Sequence, residues 1–308
     1  MAPLTVSADE EKRVKGLGFL SNKGTDNFSA RVITTNGKIT AAQCRCIAEA
    51  AEKFGNGTVT FTSRMTVEVQ GIPYEKIEDF RTYIAQEGLT TGGTGPLVRP
   101  IVSCKGTTCA HGKIDTFAIS EEIHHRFYEG YRTVKLPHKF KIAVGGCPHN
   151  CVKPDLNDIG LIGQTVPTLD EEKCRGCKKC AVEAVCPMGA TKVVNGKLQI
   201  DRDLCINCGR CVQKCLFNAM SGTNGIKVTL GGRWGKKCAQ GSPISKIFTD
   251  KDEALNVVEK AILLFREQGI SGERFAETIE RIGFETVEAQ LLADDLLDRR
   301  EQIIANKS

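Results

Sequence analysis

The sequence predicts an α+β protein interrupted by a small cysteine-rich domain, and three observations carry that expectation. Between Thr40 and Leu89, helical and strand periodicities alternate. At about Thr168 the composition changes abruptly, and eight cysteines with few aromatics fall between Cys174 and Cys215. After Gly222 the ordinary pattern returns: a strand (IKVTL), a glycine-basic loop (GGRWGKK) and three expected helices. Segment 168–222 therefore reads as an insertion into a larger domain whose halves flank it. The expected divisions are 1–89, 90–167, 168–222 and 223–308.

In the first division Thr40 and Gln43 form a capping box that opens a helix closed by Gly55. Cys44, Ile47, Ala48 and Ala51 fall at helical spacing, which places Cys44 in the core and leaves Cys46 off the stripe. Two strands follow, GTVTFTS and MTVEVQG, with Val59, Phe61, Met65, Val67 and Val69 alternating and Arg64 where the strands meet. A second helix carries Ile77, Phe80 and Ile84 on one side.

TTGGTGPLVRP (90–100) is a glycine-rich loop that lets backbone approach closely, and it lacks the GxGxxG of a dinucleotide site. A helix is expected from about Asp115 to Tyr128. The stretch Lys135–Cys151, KLPHKFKIAVGGCPHNC, then alternates Lys139 and Lys141 with Phe140 and Ile142. In extended chain that puts two ammoniums on one face and two apolar groups on the other. It runs through Gly145-Gly146 into Cys147 and Cys151, which reads either as a metal site beside an anion site or as a solvated lysine face followed by two buried cysteines. DIGLIG reads as a further strand. In the last division Asp250 and Glu253 start a helix with Leu255, Val258, Ile262 and Phe265 inward.

The chain has 308 residues, 41% of them hydrophobic, enough for more than one domain. No apolar run approaches the length of a bilayer span, and MAPLTVSADEEKRVKG lacks the apolar centre of a secretory signal. A cytoplasmic location is therefore expected. The net charge of +5 is spread along the chain rather than gathered in the stripe of a nucleic-acid binder. Fifteen cysteines in such a chain point to metal rather than disulfides.

The run CINCGRCVQKC spaces its thiols C-x2-C-x2-C-x3-C, the bacterial ferredoxin pattern. Three closely spaced thiolates on a tight loop reach three irons of a cube, and the fourth iron takes a ligand from elsewhere. CRGCKKCAVEAVCP departs from the pattern only in the five residues between Cys180 and Cys186. The spacing assigns Cys174, Cys177, Cys180 and Cys215 to one [4Fe–4S] cluster. It assigns Cys205, Cys208, Cys211 and Cys186 to a second. Zinc ribbons also use C-x2-C pairs, but would leave the third cysteine of each run and the Cys-Pro unexplained. Cys104, Cys109, Cys147 and Cys151 make two more pairs that could hold a third cluster or one zinc, and spacing does not decide. Cys238 is a spare. No histidine sits in C-x-x-C-H, and none receives a role.

CKGTTC followed by GCPHNC resembles the paired cysteine motifs of siroheme-dependent sulfite and nitrite reductases. The resemblance implies that Cys104, Cys109, Cys147 and Cys151 hold a [4Fe–4S] cluster, with Cys151 also bridging to the siroheme iron. LPHKFK resembles the family's substrate-binding strand, which makes Lys139 and Lys141 ligands of the oxyanion. SARVITTNGKIT and GGTGPLVRP resemble the segments that carry its anion-binding arginines, here Arg31 and Arg99. FTSRMTVEVQGI resembles the strand whose arginine meets a siroheme carboxylate, here Arg64. GERFAETIERIGFE is similar to the family's C-terminal segment. The likeness spans nearly the whole chain. It is strongest to the catalytic chain of anaerobic sulfite reductases and to the chains of dissimilatory sulfite reductases. It differs in its C-x4-C first pair, where C-x5-C is commoner.

The resemblance implies a ferredoxin-like half-domain, a siroheme and 4Fe–4S domain, and an inserted 2[4Fe–4S] ferredoxin domain. The cofactors implied are siroheme and three [4Fe–4S] clusters, one of them coupled to siroheme. The reaction implied is six-electron reduction of sulfite to sulfide by an external donor protein or subunit, since no flavin or nicotinamide motif is evident. Nitrite reduction to ammonia, a polyferredoxin carrier without siroheme, and a siroheme protein without turnover are the alternatives. Relatives with two tandem repeats divide cations and cysteines between them. Here both sets lie in one repeat, so a homodimer is expected in which one protomer's cations serve the other's siroheme.

Overall fold

The structure, a computed structural model, describes residues 6–306. Met1–Thr5, the start of the N-terminal stretch read above, lie outside the described residues, as do Lys307 and Ser308. The chain divides into two compact units. One comprises the residues up to Ser103, Ala118–Ala143 and those from Val257 onward. The other comprises Cys104–Phe117 and Val144–Asn256.

In the first unit the helix α1 (Ala8–Gly16) precedes strands β1 (Phe19–Ser21) and β2 (Asn27–Val32). Helix α2 (Ala41–Phe54), strands β3 (Val59–Phe61) and β4 (Val67–Pro73) and helix α3 (Ile77–Ala85) follow. The strands form an antiparallel sheet of order β1-β2-β4-β3. Its core joins Phe19, Phe28, Val69 and Ile72 to Ile47, Ala51 and Phe54 of α2 and Ile77, Phe80 and Ile84 of α3. The capping box is present: Gln43 N donates to Thr40 Oγ1 at 3.1 Å, and Thr40 N to Gln43 Oε1 at 3.0 Å. The cysteines of α2 are exchanged relative to expectation. Cys46 is buried and Cys44 exposed, because the inner stripe runs through Cys46, Ile47, Ala50, Ala51 and Phe54. Phe61, expected on the inner face, is 81% exposed at the sheet's edge strand.

A short strand β5 (Val102–Ser103) and helix α4 (Thr116–Ile123) come next, and the helix widens into a π-helical turn over His124–Glu129. Strand β6 is only Ile142–Gly145. The lysines precede it, yet the alternation holds, with Phe140 and Ile142 fully buried and Lys139 and Lys141 partly exposed.

The second unit contains β7 (Ile159–Leu169), α5 (Ala181–Val185), β8 (Thr191–Val194), β9 (Lys197–Ile200), β10 (Met220–Leu230) and β11 (Ser242–Phe248). Its sheet runs β11-β10-β7-β6, the last two residues of β6 belonging to this unit. β7 and β10 pair antiparallel from Ile159↔Leu230 to Leu169↔Met220, and Asp170 N donates to Ala219 O at 2.8 Å. The cysteine-rich segment thus leaves and rejoins the sheet at adjacent strand ends, the geometry that admits an insertion without disturbing the ladder. β8 and β9 form a hairpin within it.

Helix α6 (Lys251–Gln268) buries Leu255, Val258, Ile262 and Phe265 completely. Where two further helices were expected, the chain makes four: α7 (Phe275–Ile282), α8 (Phe284–Leu292), α9 (Asp295–Asp298) and α10 (Arg300–Ala305). Gly283, at φ +98°, turns α7 into α8, a conformation that favours glycine.

Candidate cysteine and cation sites

In the second unit the loops bearing Cys104–Cys109 and Cys147–Cys151 are held together by glycine. A Cβ on Gly106 would lie 2.8 Å from Gly146 Cα, and one on Gly146 would lie 2.8 Å from Gly106 Cα. Gly146 N donates to Cys104 Sγ at 3.1 Å, Cys104 N donates to Val144 O at 3.1 Å, and Lys113 N donates to Gly146 O at 2.8 Å. Thr116 Oγ1 donates to Cys104 O at 2.8 Å and ties the first loop to the start of α4. The two loops thereby bring Cys104, Cys109 and Cys151 close enough to Cys147 to act on it electrostatically. Burial raises the Cys147 pKa above its ordinary value, and the neighbouring Cys104, Cys151 and Cys109 add to the rise. Cys147 Sγ and His149 Nδ1 are 3.3 Å apart, and the His149 ring packs on His111 at 4.6 Å. A buried thiol with three others beside it is a donor set that a cationic iron–sulfur core would suit.

Two further thiol groups lie in segment 170–219. Cys211 is buried, and burial raises its pKa, with Cys205, Cys208 and Cys186 adding to it. Cys186 is also opposed by burial, yet its pKa falls, because the backbone of Met188 and Ala190 and the Thr191 side chain donate toward it. Ala190 N reaches its Sγ at 3.2 Å. Cys174, Cys180 and Cys215 pack about a small core of Val182, Leu198, Cys211 and Met220, and Leu198 N donates to Cys174 Sγ at 3.4 Å. Among the described residues no three His, Cys, Asp or Glu side chains converge on the position of a single metal ion. A cube takes its thiolates at separate corners, so its ligands do not share one point.

The expected cations lie in the first unit. Arg31, on β2, stands opposite Glu68 on β4 and donates to its Oε1 from Nε at 2.9 Å and Nη2 at 2.5 Å. Its Nη1 donates to Gly93 O at 3.3 Å. Arg99 Nη1 donates to the same carbonyl, and Arg99 Nε is buried with no hydrogen-bond partner. Two guanidiniums therefore meet at one peptide, in the loop predicted to admit close approach. Gly93 sits at φ +73°, and a Cβ there would lie 2.8 Å from Pro100 and 3.3 Å from Arg31 Cδ. Burial, with Arg31 and Arg274 nearby, lowers the Arg99 pKa to about 10. Burial lowers the His138 pKa too, with Lys139, Arg274 and Arg99 contributing. The result is a cluster of positive charge with a buried donor unsatisfied, as an oxyanion site requires. Arg64, expected to meet a siroheme carboxylate, donates to Pro100 O from Nε and Nη2 at 3.0 and 2.6 Å and to Ile142 O at 3.1 Å. In this structure it fixes the end of the 90–100 loop and the strand after the lysines.

Sequence reasoning missed Arg274 and His138 in this cluster and Glu68 as the counter-charge of Arg31. Arg274 lies at the start of α7, far along the chain, and only packing brings it near Arg99. The register of β2 against β4 would have found Glu68, had β2 been recognised.

Two family descriptions match the chain. The nitrite/sulfite reductase ferredoxin-like half domain matches residues 21–86, and the nitrite and sulphite reductase 4Fe-4S domain matches residues 94–296. The chain is 32% identical over 245 residues to a coenzyme F420-dependent sulfite reductase of Methanocaldococcus jannaschii, covering 77% of this chain and 38% of that protein. It is 29% identical over 168 residues to one of the chains of the anaerobic sulfite reductase of Salmonella typhimurium, covering 48% of this chain and 47% of that one. The chain thus spans about two fifths of the first and about half of the second. Its fold is similar to that of a crystal structure of dissimilatory sulfite reductase I, with a TM-score of 0.69 and 21% identity, covering 86% of this chain and 69% of that chain. The chain belongs to the nitrite and sulphite reductase family.

Proposed function

We propose that the chain is a siroheme-dependent sulfite reductase. Six electrons from an external protein donor reach the site through two [4Fe–4S] clusters in a ferredoxin-type segment, 168–222. The observation that carries the reading is the mutual packing of Gly106 and Gly146, which sets four thiols of two distant motifs against one another. In this reading Cys104, Cys109, Cys147 and Cys151 hold a third cluster, and Cys151 also ligates siroheme. Cys151 is exposed, so its sulfur has room for a second ligand bond.

Siroheme, when bound, supplies the iron redox chemistry. The chain's own residues hold the oxyanion and supply protons as three oxygens leave as water. Arg31 spends three N–H groups on Glu68 and Gly93, leaving one hydrogen on each terminal nitrogen for an oxygen of sulfite. Arg99 stays protonated at neutral pH and offers Nε. Lys139 and Lys141 are the proton donors, because an ammonium can release a proton that a guanidinium keeps. His138, whose pKa burial and its cationic neighbours lower, is suited to accept a proton from solvent and pass it to them.

The test is Lys141→Met in anaerobically prepared enzyme. It retains siroheme and iron, and its turnover with sulfite falls roughly a hundredfold. Unchanged kinetics remove Lys141 from the site. Rates with nitrite, measured beside those with sulfite, assign the preferred oxyanion.

A further inference from the structure

The two cysteine sets of segment 170–219 are not equivalent. A cleft of about 190 Å³ in the second unit has Cys147 and Cys208 among its lining residues, with His149, Met188, Ile206 and Arg210. None of Cys174, Cys177, Cys180 and Cys215 lines it. The Cys186/Cys205/Cys208/Cys211 set is therefore the inner one, adjoining the Cys104/Cys109/Cys147/Cys151 set. The other is the outer one.

The residues beside the ligands differ in the same sense. Those flanking the inner set are neutral or apolar except for Arg210. Beside the outer set stand Lys173, Arg175, Lys178, Lys179 and Lys214, with no acidic residue directly flanking any of its four cysteines. Lys173 is paired with Asp170 at 2.6 Å, and the other four are exposed. Directly after Cys215 come Leu216, 88% exposed, and Phe217, 47% exposed. An apolar centre bordered by cations is the composition of a transient protein-docking face, and its charge selects an acidic partner.

We propose that this face, centred on Leu216 and bordered by Lys178, Lys179 and Lys214, is where an acidic iron–sulfur electron carrier docks and delivers electrons to the outer cluster. The proposal rests on the cluster assignment above and adds the entry point and the partner's chemistry. In each encounter one electron leaves the carrier's reduced iron–sulfur centre and enters the Cys174/Cys177/Cys180/Cys215 cluster. The carrier is oxidised by one electron and the cluster reduced by one, and no bond is made or broken.

The experiment is stopped-flow reduction of the intact, metal-loaded enzyme without sulfite, followed by cluster bleaching. The probes are a reduced acidic [2Fe–2S] ferredoxin and, separately, reduced methyl viologen. For Lys178→Glu/Lys179→Glu and for Leu216→Glu, the second-order rate with ferredoxin should fall about tenfold or more at low salt. The rate with methyl viologen should be no slower. The double reversal should also lose most of the parent's salt dependence. Unchanged ferredoxin rates, or an equal fall with both donors at parental iron content, overturn the proposal. Should the reversal cost iron, Lys178→Gln/Lys179→Gln replaces it, with a fall of about threefold expected for ferredoxin alone and no change overturning the idea. Because cluster reduction is read without sulfite or siroheme, failure of docking and failure of sulfite chemistry give different results.

Discussion

At Gly106 there is no room for a side chain: a Cβ would lie 2.6 Å from Thr116 Cγ2 and 2.8 Å from Gly146 Cα. Gly106→Ala should therefore push the two thiol loops apart. We expect the loss of about one [4Fe–4S] complement per chain by iron and sulfide analysis, with the clusters of segment 168–222 retained. Retention of full iron would mean that the loops tolerate separation. On α2, Cys44 is exposed, whereas Cys46 is buried, its pKa raised by burial and by Glu87 and Glu49. A thiol reagent should modify Cys44 and spare Cys46 in the native protein, as mass mapping would show. The pairing of the Cys104–Cys109 and Cys147–Cys151 loops could be anticipated from their motifs, because the thiols of one loop are close in sequence. Arg274 could not, because its place beside Arg99 depends on α7 packing, which no local pattern encodes. The inversion of Cys44 and Cys46 has a similar cause. A stripe anchored on Cys44 and Ile47 matches helical spacing as well as the true one, and only Phe54 at its far end distinguishes them.

The entry to α7 is held by ionic contacts. Arg281 donates to Glu273 at 2.9 and 2.8 Å, Thr278 Oγ1 donates to it at 2.9 Å, and Ile270 N at 2.9 Å. The Arg281 hydrogen bonds are the main cause of a Glu273 pKa lowered to about 2. A carboxylate whose folded pKa is depressed contributes stability above its ordinary value of 4.5, and the contribution disappears as pH falls toward about 2. Glu273→Gln should cost about 1 kcal/mol at neutral pH, a modest figure because solvent screens the pair. In denaturant melts the difference should shrink below pH 4.5; a difference constant with pH would assign the role to shape rather than charge. At this scale α2, α3, β7, β10 and α6 were legible from periodicity and caps. β2 was missed because three successive residues, Phe28, Ser29 and Ala30, are all buried, which removes the alternation. β11 was missed because Pro243 and Lys246 interrupt its apolar pattern, as an edge strand permits.

Over the whole molecule, charge and thiols are apportioned by unit: Arg31, Arg99, Lys139 and Lys141 in the first, and the twelve candidate ligand cysteines in the second. No helix among the described residues is long and apolar enough to cross a membrane. The change of composition at about Thr168 marks a segment with its own small core, Val182, Leu198, Cys211 and Met220, but the strand ladder that closes at Asp170 and Ala219 could not be read from sequence. We expect the active species to be a homodimer; a fully active monomer by light scattering would count against it. The measurement that reaches the centre of the account is the visible spectrum of anaerobically purified, fully metallated protein before and after sulfite. Porphyrinoid bands that shift on adding sulfite are the predicted result. A broad iron–sulfur absorbance with no macrocycle bands, unaltered by sulfite, would contradict it.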